Sequence, residues 1–165
     1  MPELDFDPIA RAHDQWSAQG WAAAADGMAA VTSLMRAQQI VLARVEAALK
    51  PFDVSFARYE TLMLLRFSRR GSLPMSRISA RLQVHQSSVT NAVDRLEGAG
   101  LVTRSPHPSD RRATIVTLTT AGRELTDKAT ETINRDVFAD LGLNAADARE
   151  LTRILTTLRR TAGDF

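Results

Sequence analysis

Apolar positions three, four and seven residues apart dominate the chain. Met28, Val31, Met35, Leu42, Val45 and Leu49 share one face of a long helical pattern that runs from about Trp21 to Lys50 and stops at Pro51. Leu34 and Val41 add a second stripe, so this helix is predicted to be buried from more than one side. Upstream, Asp7-Pro8 pairs an N-cap acid with a proline at the first helical position, predicting a short helix to about Ala18 that ends at Gly20. Ser55 caps a further helix carrying Tyr59, Leu62, Met63 and Leu65 before the basic turn Arg69-Arg70-Gly71, and two shorter helices follow at about 75–82 and 86–98. Leu101 to Arg104 and Ala113 to Leu118 then read as two strands rich in Val, Ile and Thr around a Pro-His-Pro-Ser-Asp-Arg-Arg tip. Thr119 or Thr120 opens a helix with Leu125, Ala129, Ile133, Val137 and Leu141 at spacing four. Asn144, answered by Asp147, caps a last helix presenting Leu151, Ile154, Leu155 and Leu158.

The pattern predicts a mainly α fold with a small β-hairpin wing. Its divisions are an N-terminal extension helix (1–20), a dimerisation helix (21–54), a winged helix-turn-helix domain (55–118) and C-terminal dimerisation helices (119–165). The long helix and the last one carry more apolar surface than one chain of 165 residues can cover, which predicts a homodimer. Trp21, Met28, Phe138, Leu141, Leu143, Leu151, Leu155 and Leu158 are the candidate interface residues.

Residues 73–118 concentrate the candidate chemistry. Ile78 and Leu82 are predicted to lock the first short helix, Val84 the turn, and Val89, Val93 and Leu96 the buried face of the second. That spacing leaves Gln86, Ser87, Ser88, Thr90, Asn91, Asp94 and Arg95 facing outward. Small polar side chains of this kind suit a major groove about 12 Å wide. Charge distribution strengthens the reading. The net charge is only +2, yet residues 76–112 hold six arginines (77, 81, 95, 104, 111 and 112) against Asp94, Glu97 and Asp110. A basic middle between near-neutral flanks is the footprint of a polyanion-binding module.

The stretch LPMSRISARLQVHQSSVTNAVDRLEGAGLVTR (73–104), followed by SDRRATIVTLTTAG (109–122), resembles the multiple-antibiotic-resistance regulator (MarR) family, and the flanking helices extend the resemblance over about 21–160. The resemblance implies a triangular homodimer with two DNA-binding lobes, 86–98 as the recognition helix and 105–112 as the wing tip. In the family's Asp-x-Arg wing motif, which falls here on Asp110 and Arg112, the acid orients an arginine that enters the minor groove; Arg111 is left for phosphate. Narrow minor grooves favour guanidinium. Asn91 stands where the family often has arginine, Gln83 where glycine is common, and His85 where a Ser, Asp or Thr cap is usual. PIARAHDQW (8–16) more loosely resembles the extra helix of the family's urate-responsive branch. There Trp16 and Arg104 match ligand-site residues, Glu60 stands for an aspartate and Ala92 for an arginine. This implies a crevice for an aromatic or weakly acidic effector, with Trp16, Tyr59, Glu60, Met63 and Arg104 as candidates. For Glu60 the plainer expectation is an ion pair with Arg58 or Arg66.

Other classes find little support. There is no cysteine, hence no disulfide or thiolate metal site, and His13, His85 and His107 have no second ligand three or four residues away. No glycine-rich phosphate loop, His-Glu-x-x-His or Gly-x-Ser-x-Gly occurs, so neither an enzyme nor a cofactor is expected. An acidic N-terminus and the lack of a long apolar run predict a cytoplasmic protein without membrane partners. The alternative is a helical protein-interaction or small-molecule-binding module whose winged lobe does not bind DNA.

Overall fold

The structure, a computed structural model, describes residues 4–165, and of Arg111 and Arg112 the backbone alone. Helix α1 (Pro8–Trp16) starts where Asp7 accepts a hydrogen bond from the Ile9 amide at 2.8 Å. It does not simply end. A π-helical turn, Ser17–Trp21, carries the chain through Gly20 at φ +88°, a conformation glycine adopts without steric cost, and into α2 (Ala22–Leu49). The elbow lays α1 back along α2, held by a 3.0 Å contact between His13 Nε2 and Asp26 Oδ1.

After a 3₁₀ turn at Lys50–Phe52, Ser55 caps α3 (Phe56–Phe67). Strand β1 (Ser72–Pro74) follows, then α4 (Met75–Leu82), α5 (Gln86–Gly98), β2 (Val102–His107) and β3 (Asp110–Leu118). The sheet is antiparallel with order β1-β3-β2, so the wing is built on three strands rather than the two the sequence pattern predicts. β1 is too short to show a period and is fixed only by pairing with β3, as in Leu73 opposite Val116.

Helix α6 (Thr120–Ile133) begins at the Thr119 cap, and a second π-helical turn, Asn134–Phe138, ends it. Leu141 therefore lies beyond the helix, although it continues the spacing-four series from Leu125. The wider π turn breaks the 3.6-residue repeat on which that series depends. Asn144 caps α7 (Ala145–Thr161) by accepting from the amides of Ala146 and Asp147.

One apolar core unites Leu49 of α2, Leu62 and Leu65 of α3, Ile78 of α4, Val93 and Leu96 of α5, Val116 of β3 and Ile133 of α6. Arg44 ties α2 to the end of α6 by donating to the carbonyls of Asp136 and Asp140 at 3.0 and 2.6 Å. Two faces stay uncovered. On α2, Val31 and Met35 are 58% and 62% exposed. On α7, which has no buried residue, Ile154 and Leu158 are 51% and 53% exposed.

Candidate nucleic-acid interface

The α4–α5 turn owes its shape to polar groups. Gln83 caps α4 in the left-handed region at φ +54°, a conformation that costs a non-glycine residue about 1 kcal/mol and explains why glycine suits this position. The Ser79 hydroxyl donates to the Val84 carbonyl at 2.7 Å, and the Val84 amide donates back to the Ser79 carbonyl. Val84 itself is 42% exposed, so its side chain does not lock the turn as its apolar character suggested. His85 replaces the usual hydroxyl or carboxylate cap: its Nδ1 accepts from the Ser87 amide at 3.2 Å and meets the Ser87 hydroxyl at 2.7 Å. The His85 Nδ1 thus covers one of the open amides at the start of α5.

Helix α5 divides cleanly. Val89, Val93 and Leu96 are buried, while Gln86, Ser87, Ser88, Asn91, Asp94 and Arg95 are exposed. Thr90 is half-buried, with its hydroxyl turned back to the Gln86 carbonyl at 3.0 Å. A cleft of about 900 Å³ between the start of α3 and α5 is lined by Arg58, Ser88, Asn91, Ala92 and Arg95, so it opens along the same polar edge.

The wing is longer and its tip tighter than the sequence pattern predicts. Strand pairing runs out to His107 and resumes at Asp110, leaving Pro108 and Ser109 as the turn, so the 105–112 tip is mostly strand. Asp110 opens β3 and is exposed. The side chains of Arg111 and Arg112 lie outside the described residues. Arg104 on β2 reaches back to α5: its guanidinium donates to Asp94 Oδ1 at 2.5 Å and to the Thr90 carbonyl at 3.4 Å, while its amide donates to Glu97 Oε1 at 3.1 Å. Wing and exposed helix are therefore braced through one arginine, and two carboxylates of the basic segment are engaged. The partners of Arg104 are not legible in sequence, because Asp94 and Glu97 read as ordinary outward-facing acids.

The five candidate ligand residues do not form one site. Tyr59, Glu60 and Met63 line a cavity of about 630 Å³ that joins α3 to the end of α4, α6 and the π turn after it. Arg104 is committed to α5, and Trp16 packs edge-on against Trp21 at 5.2 Å in the α1–α2 elbow; neither lines the cavity. The Tyr59 hydroxyl and the Thr130 hydroxyl meet at 3.0 Å. Glu60 has no ion-pair partner among the described residues, since Arg66 reaches Asp127 at 2.9 Å instead and Arg58 turns to the Ser55 hydroxyl. Burial without compensation raises the Glu60 carboxyl above its ordinary 4.5. Phe67, Arg81 and Asn134 also line this cavity; no pattern along the chain marks them, because Phe67 is a lone aromatic at the end of α3 and the other two are ordinary polar helix residues.

Of the candidate interface residues, Trp21, Phe138, Leu143, Leu151 and Leu158 are exposed, and Met28, Leu141 and Leu155 are half-buried. Among the described residues no cluster of three His, Cys, Asp or Glu side chains could hold a metal, and no helix is long and apolar enough to cross a membrane.

The sequence profile of the MarR family matches residues 56–114, from the first residue of α3 into β3. The fold is similar to that of Sco5413, a MarR family transcriptional regulator from Streptomyces coelicolor, with 48% identity and a TM-score of 0.78 over 85% of this chain and 97% of that one. It also resembles the transcriptional repressor CouR, solved bound to a 23-mer DNA duplex, with 27% identity and a TM-score of 0.71 over 76% of this chain and 89% of CouR. Among curated relatives, the uncharacterized HTH-type transcriptional regulator YhbI of Bacillus subtilis (strain 168) is 35% identical over 85 residues, 52% of this chain and 54% of YhbI, so the match spans about half of that relative's length. The similarity to Sco5413 is close and covers nearly all of it, and the profile falls on the helix-turn-helix and wing described above: the chain belongs to the MarR family.

Proposed function

We propose that this protein is a cytoplasmic transcription regulator, a repressor, that binds a palindromic operator as a homodimer. The observation that carries this reading is the division of α5. Its apolar side is fixed in the core by Val89, Val93 and Leu96, while Gln86, Ser87, Ser88, Asn91 and Arg95 form an exposed polar edge next to a braced hairpin. An edge of amides and hydroxyls on a rigid helix is suited to base edges in a major groove, where asparagine reads adenine bidentately. Thr90 and the backbone near the helix start serve the adjoining phosphates. Asp110, Arg111 and Arg112 on the wing are assigned to the neighbouring minor groove, with Arg112 entering it. CouR's DNA complex, on the same fold, supports the assignment.

Dimerisation supplies the second lobe and covers the apolar faces of α2 and α7. Two-fold symmetry then sets the recognition helices about one helical turn, roughly 34 Å, apart. The cavity lined by Tyr59, Glu60 and Met63 joins a scaffold helix to the DNA lobe, and we assign it to an effector. A ligand wedged there changes lobe spacing and lowers operator affinity, with a coupling of roughly 1–3 kcal/mol.

The test is mobility shift with DNA from upstream of the protein's own gene, across a salt series. Affinity is expected to fall steeply as salt rises, because phosphate contacts release counterions. No retardation of any duplex at low ionic strength would overturn the proposal and favour an interaction module.

A further inference from the structure

The cavity assigned to an effector has a chemistry of its own. In a chain with only 5% aromatic residues, four aromatic side chains converge on it: Phe56, Tyr59, Phe67 and Phe138. Phe56 and Tyr59 lie nearly parallel, 6.4 Å between centroids. Phe67 and Phe138 are 76% and 57% exposed in the single chain, so their rings are open to an occupant of the cavity. Among these rings stands Glu60, half-buried and without an ion-pair partner among the described residues. Arg81 also lines the cavity, but it is an exposed residue at the end of α4.

Aromatic faces carry negative quadrupole potential and attract cations held over them. A carboxylate set among such faces adds a full negative charge in a partly dehydrated place, where it acts more strongly than in water. An aromatic anion would instead be repelled by Glu60, with the exposed Arg81 at the rim as its one cationic neighbour among the lining residues. We infer that the effector of this cavity is a lipophilic organic cation, its apolar groups against Phe56, Phe67 and Phe138 and its positive centre beside Glu60. The inference rests on the effector reading above and changes its chemistry, from weakly acidic to cationic. The raised titration of Glu60 is consistent with it, because an uncompensated carboxylate in this place is stabilised by the arrival of a positive charge.

Two probes of nearly equal shape and opposite charge decide the matter. Tetraphenylphosphonium and tetraphenylborate are titrated calorimetrically into the full-length protein, and each is added to a protein–operator complex followed by fluorescence anisotropy. The phosphonium is expected to bind at least about tenfold more tightly than the borate, and Glu60→Gln to remove most of that preference. If Glu60→Gln fails to fold, Phe67→Ala serves instead: Phe67 is largely exposed, so its truncation spares the core, and about threefold weaker phosphonium binding is expected. Equal binding of both ions, or tighter binding of the borate, overturns the cationic assignment while leaving an effector site in place. No binding of either ion also overturns it. Phosphonium binding that leaves operator affinity unchanged upholds the site and removes its effector role.

Discussion

Arg104 on the wing and Asp94 on α5 meet at 2.5 Å, so one charge pair links the hairpin to the exposed side of the helix that we assign to the major groove. Asp94 projects from the exposed side of the helix, where a bare carboxylate would repel phosphate. Arg104→Ala is therefore expected to weaken operator binding about tenfold or more, through a loosened wing and an uncompensated Asp94. Arg104→Lys should restore only part of it, because one ammonium can take the place of Nη2, which meets both Asp94 and the Thr90 carbonyl, but not also of Nε, which lies 3.6 Å from Glu97. Pairing Arg104→Ala with Asp94→Asn should recover part of the loss. Strict additivity of the two substitutions in a binding-affinity cycle would show that the pair is not coupled.

Asn91 and Arg95 lie one helical turn apart on the exposed side of α5 and are expected to behave differently. Asn91→Ala should cost about 1–3 kcal/mol against the operator and little against random DNA, because amide contacts distinguish bases. Arg95→Ala should weaken operator and random DNA alike and reduce the salt slope by about one. Competition binding with scrambled duplexes separates the two behaviours.

Where the chain's own pattern governs the outcome, sequence sufficed. The Val89-Val93-Leu96 spacing marks the buried side of α5, which spans the expected 86–98, and the last helix starts at the Asn144 cap. What escaped depends on partners distant in sequence. β1 exists only through pairing with β3, Arg66 answers an acid 61 residues away rather than its neighbour Glu60, and Arg104 turns to α5 rather than to a ligand. Val84 misled for a different reason. Its apolar side chain implies burial, yet the Ser79 hydrogen bonds already fix the turn, so nothing requires that side chain to pack. The cavity was half legible: Tyr59, Glu60 and Met63 share a face of α3, but its far wall comes from α4 and α6.

Gly122, in the first turn of α6, explains the Ala-Gly that follows the wing. A Cβ there would lie 2.0 Å from the Leu101 carbonyl oxygen and 2.9 Å from Leu118 Cδ1. The Leu101 oxygen is fixed as acceptor for the Thr119 amide and hydroxyl, so backbone would have to move. Gly122→Ala should destabilise the protein by about 2 kcal/mol or more despite alanine's better helix propensity, read as a lower urea midpoint. An unchanged or raised midpoint would show that α6 does not dock this closely.

The α1–α2 elbow should respond to pH. Hydrogen bonds to Asp26 and then Asp14 raise the titration of His13 above 6.5. A group whose folded value is raised stabilises docking fully below its unfolded value and ceases to do so as pH climbs through the folded one. Docking of α1 should therefore weaken on going from mildly acidic to mildly alkaline solution. Trp16 and Trp21, edge-on at 5.2 Å, report it through near-ultraviolet circular dichroism, and His13→Gln should flatten the profile.

Ile154 and Leu158 sit on one face of α7, half exposed in the single chain. Covering the exposed half of each is worth about 1 kcal/mol in a dimer, whereas a carboxylate in the same place must be dehydrated without a partner. Ile154→Glu with Leu158→Glu should therefore give a monomer in sedimentation whose winged lobe remains folded, since neither residue belongs to the core around Leu62 and Val93. A lone lobe retains its phosphate contacts but loses the second half-site, so binding to a palindrome should fall to the level of a single half-site. A doubly substituted protein that still sediments as a dimer would place the interface elsewhere, and the exposed α2 face at Val31 and Met35 would become the next surface to break.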